Sequence, residues 1–201
     1  MSEFLTYVTL GYRHITDPNG ADHILFLLVL AAIYRFRDWR GVLGVVTAFT
    51  VGHSLTLGLA VSDWLHLPTR FVEFLIPVTI ILTAVENLLV RELPRHGWRS
   101  RYRPVFAAVF GLVHGAGFAN YLQSLFVERI AVPLFGFNVG IELGQLLVLA
   151  MAFVAFAMVD LAAARLRGVS WTATTPRVRT VIVSALVAVV ATQWAVERAP
   201  W

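Results

Sequence analysis

Residues 132–161 read VPLFGFNVGIELGQLLVLAMAFVAFAMVDL, a nearly unbroken apolar run. A helix needs about 20 mostly apolar residues to cross the hydrocarbon of a bilayer. This run is longer, so it predicts a spanning helix that is tilted or extends beyond the bilayer. Asn138, Glu142 and Gln145 fall in it at i, i+4, i+7 and so project from one face. Gly136, Gly140 and Gly144 recur every four residues on roughly the opposite face, a stripe that lets a neighbouring helix approach closely. One face packs; the other offers polar groups to an interior.

The rest of the chain has the same character. Of 201 residues, 58% are hydrophobic and only 14% are charged, against roughly 45–50% and 25% in soluble domains. Mean hydropathy is +0.74. This composition predicts an all-α, polytopic transmembrane helical bundle of about six helices with short loops. Residues 1–201 are expected to form a single integral membrane domain. The expected spans are 20–35, 41–61, 70–90, 104–123, 132–161 and 178–197. The first is short, and segment 4–17 before it is expected to lie along or dip into the interface. Gly111 and Gly115 repeat the small-residue spacing on the fourth span.

Every basic residue is arginine. Arg35, Arg37, Arg40, Arg91, Arg95, Arg99, Arg101, Arg103, Arg165, Arg167, Arg177 and Arg179 fall on one side of the predicted spans. Arg13, Arg70, Arg129 and Arg198 fall on the other. Basic loops stay cytoplasmic, so both termini are expected outside. The net charge of +4 is dispersed in clusters between apolar runs, which reads as a topology signal and not as a nucleic-acid surface. The N-terminal MSEFLTYVTLGYRHITD lacks a basic n-region and a clean apolar h-region, so targeting is expected from the helices themselves. The absence of cysteine excludes disulfides and thiolate metal sites.

Ionisable groups inside spans cost about 2.5–3.5 kcal/mol each on insertion scales and mark function. The chain carries Asp22 and His23 in the first span, His53 in the second, Glu73 and Glu86 in the third, His114 in the fourth and Glu142 in the fifth. Asn87, Asn138 and Gln145 accompany them. Most of these groups map to the outer half of the membrane; Glu86 and Asn87 map deeper. His66 and His96 fall in loops and are expected to be solvated. Imidazoles and carboxylates arriving from different helices at one depth predict a shared metal site, because imidazole suits nickel, copper, zinc and iron. Neighbouring His53 and Ser54 point about 100° apart and form no catalytic pair; Ser54 can bond back to a helix carbonyl. No local motif singles out a catalytic residue.

In order along the chain stand GYRHITDPNGADHILFLL, FTVGHSLTL, VEFLIPVTI, ENL, FGLVHGAGFA and FNVGIELGQ. From about residue 11 to 147 this series resembles the HupE/UreJ membrane proteins. The resemblance implies a multi-pass protein of the bacterial inner membrane, linked to nickel or cobalt supply for hydrogenase or urease and acting as a secondary permease. It also implies metal handling by His14, Asp22 and His23 in the first motif, by His53 and His114 in the histidine motifs, and by Glu142 in the acidic motif. The family's first motif resembles HxxxxxDH, whereas here seven residues separate His14 from Asp22. The extra length lies in TDPNG, where Asp17, Pro18, Asn19 and Gly20 are turn formers. His14 is therefore expected on a separate segment from His23.

Together these readings predict a permease for a divalent transition-metal ion, nickel or cobalt, and a secondary transporter in preference to an enzyme. His23, His53, His114, Asp22, Glu142 and His14 are the expected ligands. Glu86, Asn87, Asn138, Gln145 and Glu73 are the expected polar pathway or supporting shell. Two alternatives stay open. One is an intramembrane metal-dependent hydrolase holding zinc; the other is a structural or accessory membrane subunit of a metalloenzyme maturation system. The expected partners are the metal ion and the lipid bilayer, with no nucleic acid. A homo-oligomer or metalloenzyme maturation proteins are further candidates.

Overall fold

A computed structural model describes residues 2–35, 38–65, 67–90, 98–123, 131–167 and 176–201; for 98–101, 119–123, 166, 167 and 176 only the backbone is described. His66, His96, Arg37, Arg91, Arg95 and Arg129 lie outside the described residues. The described elements are all helical: α1 (Glu3–Thr16), α2 (Asp22–Ala32), α3 (Trp39–Val61), α4 (Thr69–Leu89), α5 (Trp98–Gln123), α6 (Ala131–Arg167) and α7 (Pro176–Glu197), with a 3₁₀ turn at Pro18–Gly20. Among them α3, α4, α6 and α7 are long and apolar enough to cross a membrane. α5 is interrupted in composition by the arginines of its first turns, and its apolar part follows Pro104. The 37 residues of α6 span about 55 Å, so it runs well past a hydrocarbon core of about 30 Å.

The first helices differ from their expected form. Segment 4–17 is part of the bundle: α1 packs directly on α6. Phe4 meets Gly136, Val8 meets Gly140, and Tyr12 and Ile15 meet Gly144, while Gly11 abuts Phe137. The numbers rise together, so α1 runs parallel to α6. α2 then continues in the same direction. Its start, Asp22, meets Arg198 beyond the end of α7, and its end, Ala32, accepts a hydrogen bond from Thr180 at the start of α7 (2.8 Å). α1 and α2 thus run in one direction through the bundle, broken at residues 17–21. Their 14 and 11 residues contribute about 21 and 16 Å. The break has a local cause. The Asp17 side chain accepts from the Asn19 backbone N–H (2.9 Å), and Pro18 opens the 3₁₀ turn, where its missing N–H is harmless.

Glycines set the other close contact. α3 and α5 run parallel, with Gly52 against the Ala108 carbonyl, Gly111 against Phe49 and Gly115 against His53. A side chain at any of these positions would overlap the facing backbone. The stripes expected from sequence on 111/115 and on 136/140/144 are both helix-packing surfaces.

The arginines at the end of the bundle where α2 and α4 finish do more than signal topology. Arg177 donates to the carbonyls of Asn87 (2.8 Å), Val90 (2.9 Å) and Leu88, which the end of α4 leaves without intrahelical donors. Arg179 pairs with Asp160 and donates to the carbonyls of Ala32 (3.2 Å) and Tyr34 (3.0 Å), closing α2 in the same way. Cations also suit the negative ends of helix dipoles.

Candidate metal centre

The break between α1 and α2 places a histidine on each side of it. On an uninterrupted helix, His14 and His23 would stand about 13 Å apart along the axis. Here their ring centroids are 4.7 Å apart. The break at residues 17–21 allows the two rings to come together. His53 on α3 joins them, its ring 6.1 Å from each. Ligand nitrogens of His14, His23 and His53 all lie within 4.8 Å of one another. Two nitrogens on one ion at about 2.1 Å can be at most about 4.2 Å apart, so small ring rotations close the set on an ion.

His114 stands beside the group, 5.2 Å from His23 between ring centroids. Its Nε2 is 3.1 Å from Thr79 Oγ1. The Thr79 hydroxyl already donates its one hydrogen to the Ile76 carbonyl (2.7 Å), so it must accept from His114 Nε2–H. That assigns the tautomer and leaves a lone pair on Nδ1, which is buried without a partner. A second hydrogen bond of this kind is how proteins orient ligating imidazoles. Both nitrogens of His53, and Nε2 of His14 and His23, are likewise buried and unpartnered. Most buried polar atoms are satisfied, so several unpartnered nitrogens in one cluster suit a metal ion. The donor set is all imidazole, which suits a borderline transition-metal ion.

Two aromatic pairs close the cluster. Phe118 lies one turn beyond His114, stacks on Phe137 (5.3 Å) and covers His14 (3.9 Å). Toward the arginine-rich end, Phe26 stacks on Phe49 (4.8 Å), and both approach His114 (5.7 and 5.1 Å). Beyond Phe26 a cavity of about 360 Å³, lined by Leu30, Val45 and Thr83 among others, reaches Glu86 and Arg103.

The carboxylates expected beside the histidines are placed elsewhere. Asp22 faces Arg198, whose Nη1 lies 3.1 and 3.3 Å from its two oxygens. Glu142 accepts from Thr47 Oγ1 (3.3 Å) on a more exposed face, and Glu73 is exposed on α4. Glu86 pairs with Arg103 (2.7 Å) and with Tyr102 near the arginine-rich end. Asn87 is fully engaged there, donating to the Val29 carbonyl (2.6 Å) and Ser184 (3.3 Å) and accepting from Arg103 (2.9 Å). Gln145 accepts from Thr50 (2.9 Å); Asn138 Oδ1 is buried and unpartnered. Ser54 bonds back to the Thr50 carbonyl (2.6 Å). Thr79 and the four phenylalanines were not read from sequence as site residues. For three of them a signal existed: Phe26, Phe49 and Phe118 stand three or four residues from His23, His53 and His114, hence on the same helix faces.

Over residues 1–198 the chain matches the family described as HupE / UreJ protein. It belongs to the HupE/UreJ family. The match takes in all of α1 and all of α7, beyond the 11–147 stretch whose motifs carried the resemblance. None of the curated proteins and none of the solved structures compared with the chain matches it. In this HupE/UreJ protein, four histidines from four helices therefore meet inside a membrane bundle, at the break between α1 and α2.

Proposed function

We propose that this protein is a permease for a divalent transition-metal ion, nickel or cobalt, which it binds as substrate at His14, His23, His53 and His114. The observation that carries the reading is the cluster of buried, unpartnered imidazole nitrogens. A broken helix at mid-bundle is a recurrent substrate site in secondary transporters, because it puts irregular backbone where an ion must pass. Neutral imidazoles hold the ion without thiolates, so binding can be weak enough to release. The two phenylalanine pairs fit an occluded form, closed toward both ends. By the arginine bias, the end holding Arg103, Arg177 and Arg179 is the cytoplasmic one in a bacterial inner membrane, and the ion enters from the other.

The test is Ni²⁺ uptake into proteoliposomes containing an entrapped metal-sensitive dye. Wild type should transport, and His53→Ala and His114→Ala should not. Uptake at wild-type rate in both variants would remove the imidazole cluster from the transport path.

A further inference from the structure

Asp22 is the first residue of α2 and the immediate neighbour of His23, yet its carboxylate is occupied. Both oxygens face Nη1 of Arg198. Arg198 is preset for this. Its backbone N–H donates to the Trp194 carbonyl (2.9 Å), its guanidinium lies over the Trp194 ring (5.2 Å), and Trp201 packs edge-on against Phe74 (5.6 Å). The pair is neither buried nor free: side-chain exposure is 30% for Arg198 and 19% for Asp22. A guanidinium on this carboxylate can therefore leave toward solvent.

The imidazole cluster itself brings no negative charge. A divalent ion held there keeps its full +2 in a medium where charges interact strongly. Asp22 is next in sequence to His23 but faces Arg198 and not the imidazoles, so the ion must draw this counter-charge away from Arg198. We propose that Arg198 is a resident counter-cation that competes with the transported ion for Asp22. On arrival the ion takes the carboxylate and Arg198 moves off Trp194; on departure Arg198 returns and restores neutrality. The competition weakens ion binding, as release requires. It rests on the reading of the histidine cluster as an ion site and gives Arg198 a role opposite in sign to that of a structural ion pair.

The test is a Co²⁺ titration of the full chain in detergent, by calorimetry and visible absorption. Arg198→Gln should bind Co²⁺ about tenfold more tightly than wild type, the scale of one partly exposed ion pair. Asp22→Asn should bind more weakly, and adding Arg198→Gln to Asp22→Asn should change nothing further. A second measurement needs no change at Arg198. Zn²⁺, which does not quench, should alter the tryptophan fluorescence of wild type, and Trp194→Phe should abolish that change. Unchanged or weaker Co²⁺ binding in folded Arg198→Gln, or no Zn²⁺-induced change at Trp194, overturns the competition while leaving the ion site standing. Absence of Co²⁺ binding by wild type overturns both.

Discussion

Gly115→Ala should disable the metal centre through the backbone alone. Gly115 on α5 faces His53 on α3 so closely that a Cβ there would overlap the His53 carbonyl oxygen and lie 2.9 Å from its carbonyl carbon. Non-bonded carbons settle at about 3.5–4.0 Å, so the His53 backbone must retreat by roughly 0.6 Å or more. Metal–ligand distances tolerate about 0.2 Å, and functional constellations about 0.5 Å. The displacement therefore exceeds both tolerances. Overpacking should lower stability by about 1–3 kcal/mol, and misplacing one ligand should weaken Co²⁺ binding on the order of a hundredfold. Gly44→Ala is the control, on the same helix as His53 but with nothing within 4 Å of the added carbon. It should bind Co²⁺ as wild type does and melt no lower, since alanine is the better helix former by about 1 kcal/mol. Calorimetric titration with circular dichroism on the same samples decides it. A folded Gly115→Ala protein with wild-type affinity would refute the reasoning, because His53 would then not depend on this helix contact for its position.

Thr79→Val keeps the shape but removes the acceptor that fixes His114, and should weaken Co²⁺ binding about tenfold; unchanged affinity in the same titration would remove Thr79 from the site. Glu142→Gln, whose carboxylate faces Thr47 away from the imidazoles, should stay within about 0.5 kcal/mol of wild-type binding, and a larger loss would place the carboxylate on the ion. Arg103→Met should lower stability by about 3 kcal/mol, because it leaves Glu86 with Tyr102 alone and takes the donor from the Asn87 side-chain amide oxygen. In thermal melts the double variant Arg103→Met/Glu86→Leu should recover most of that loss, while Co²⁺ binding is unaffected.

Several features of this protein were legible in one dimension. The apolar runs over 41–61, 70–90, 132–161 and 178–197 predict α3, α4, α6 and α7 because hydrocarbon demands about 20 apolar residues per crossing, a requirement local to each segment. The stripes at 111/115 and 136/140/144 predicted close packing because four-residue spacing returns to one helix face. The turn formers at 17–20 predicted that His14 would leave the helix of His23.

The tertiary structure alone decided which groups meet. Asp22 and His23 are adjacent in sequence, yet one turns to Arg198 and the other to the cluster, because successive helix residues point about 100° apart. Glu142 shares a face with Asn138 and Gln145, but α3 meets that face with Thr47 and Thr50, so the face pairs with hydroxyls and not with imidazoles. Glu86 is expensive in a membrane whatever it does, and only the arrival of Arg103 and Tyr102 from α5 shows what answers the charge. The sequence of 4–17 leaves its partner open, and the glycines of α6 are what let α1 pack in the bundle. Hydropathy and periodicity are properties of a single helix, so the sequence could state which residues are costly to bury. Which partner meets each cost depends on the rotation and depth of a second helix, and that is set by backbone contacts between segments far apart in the chain.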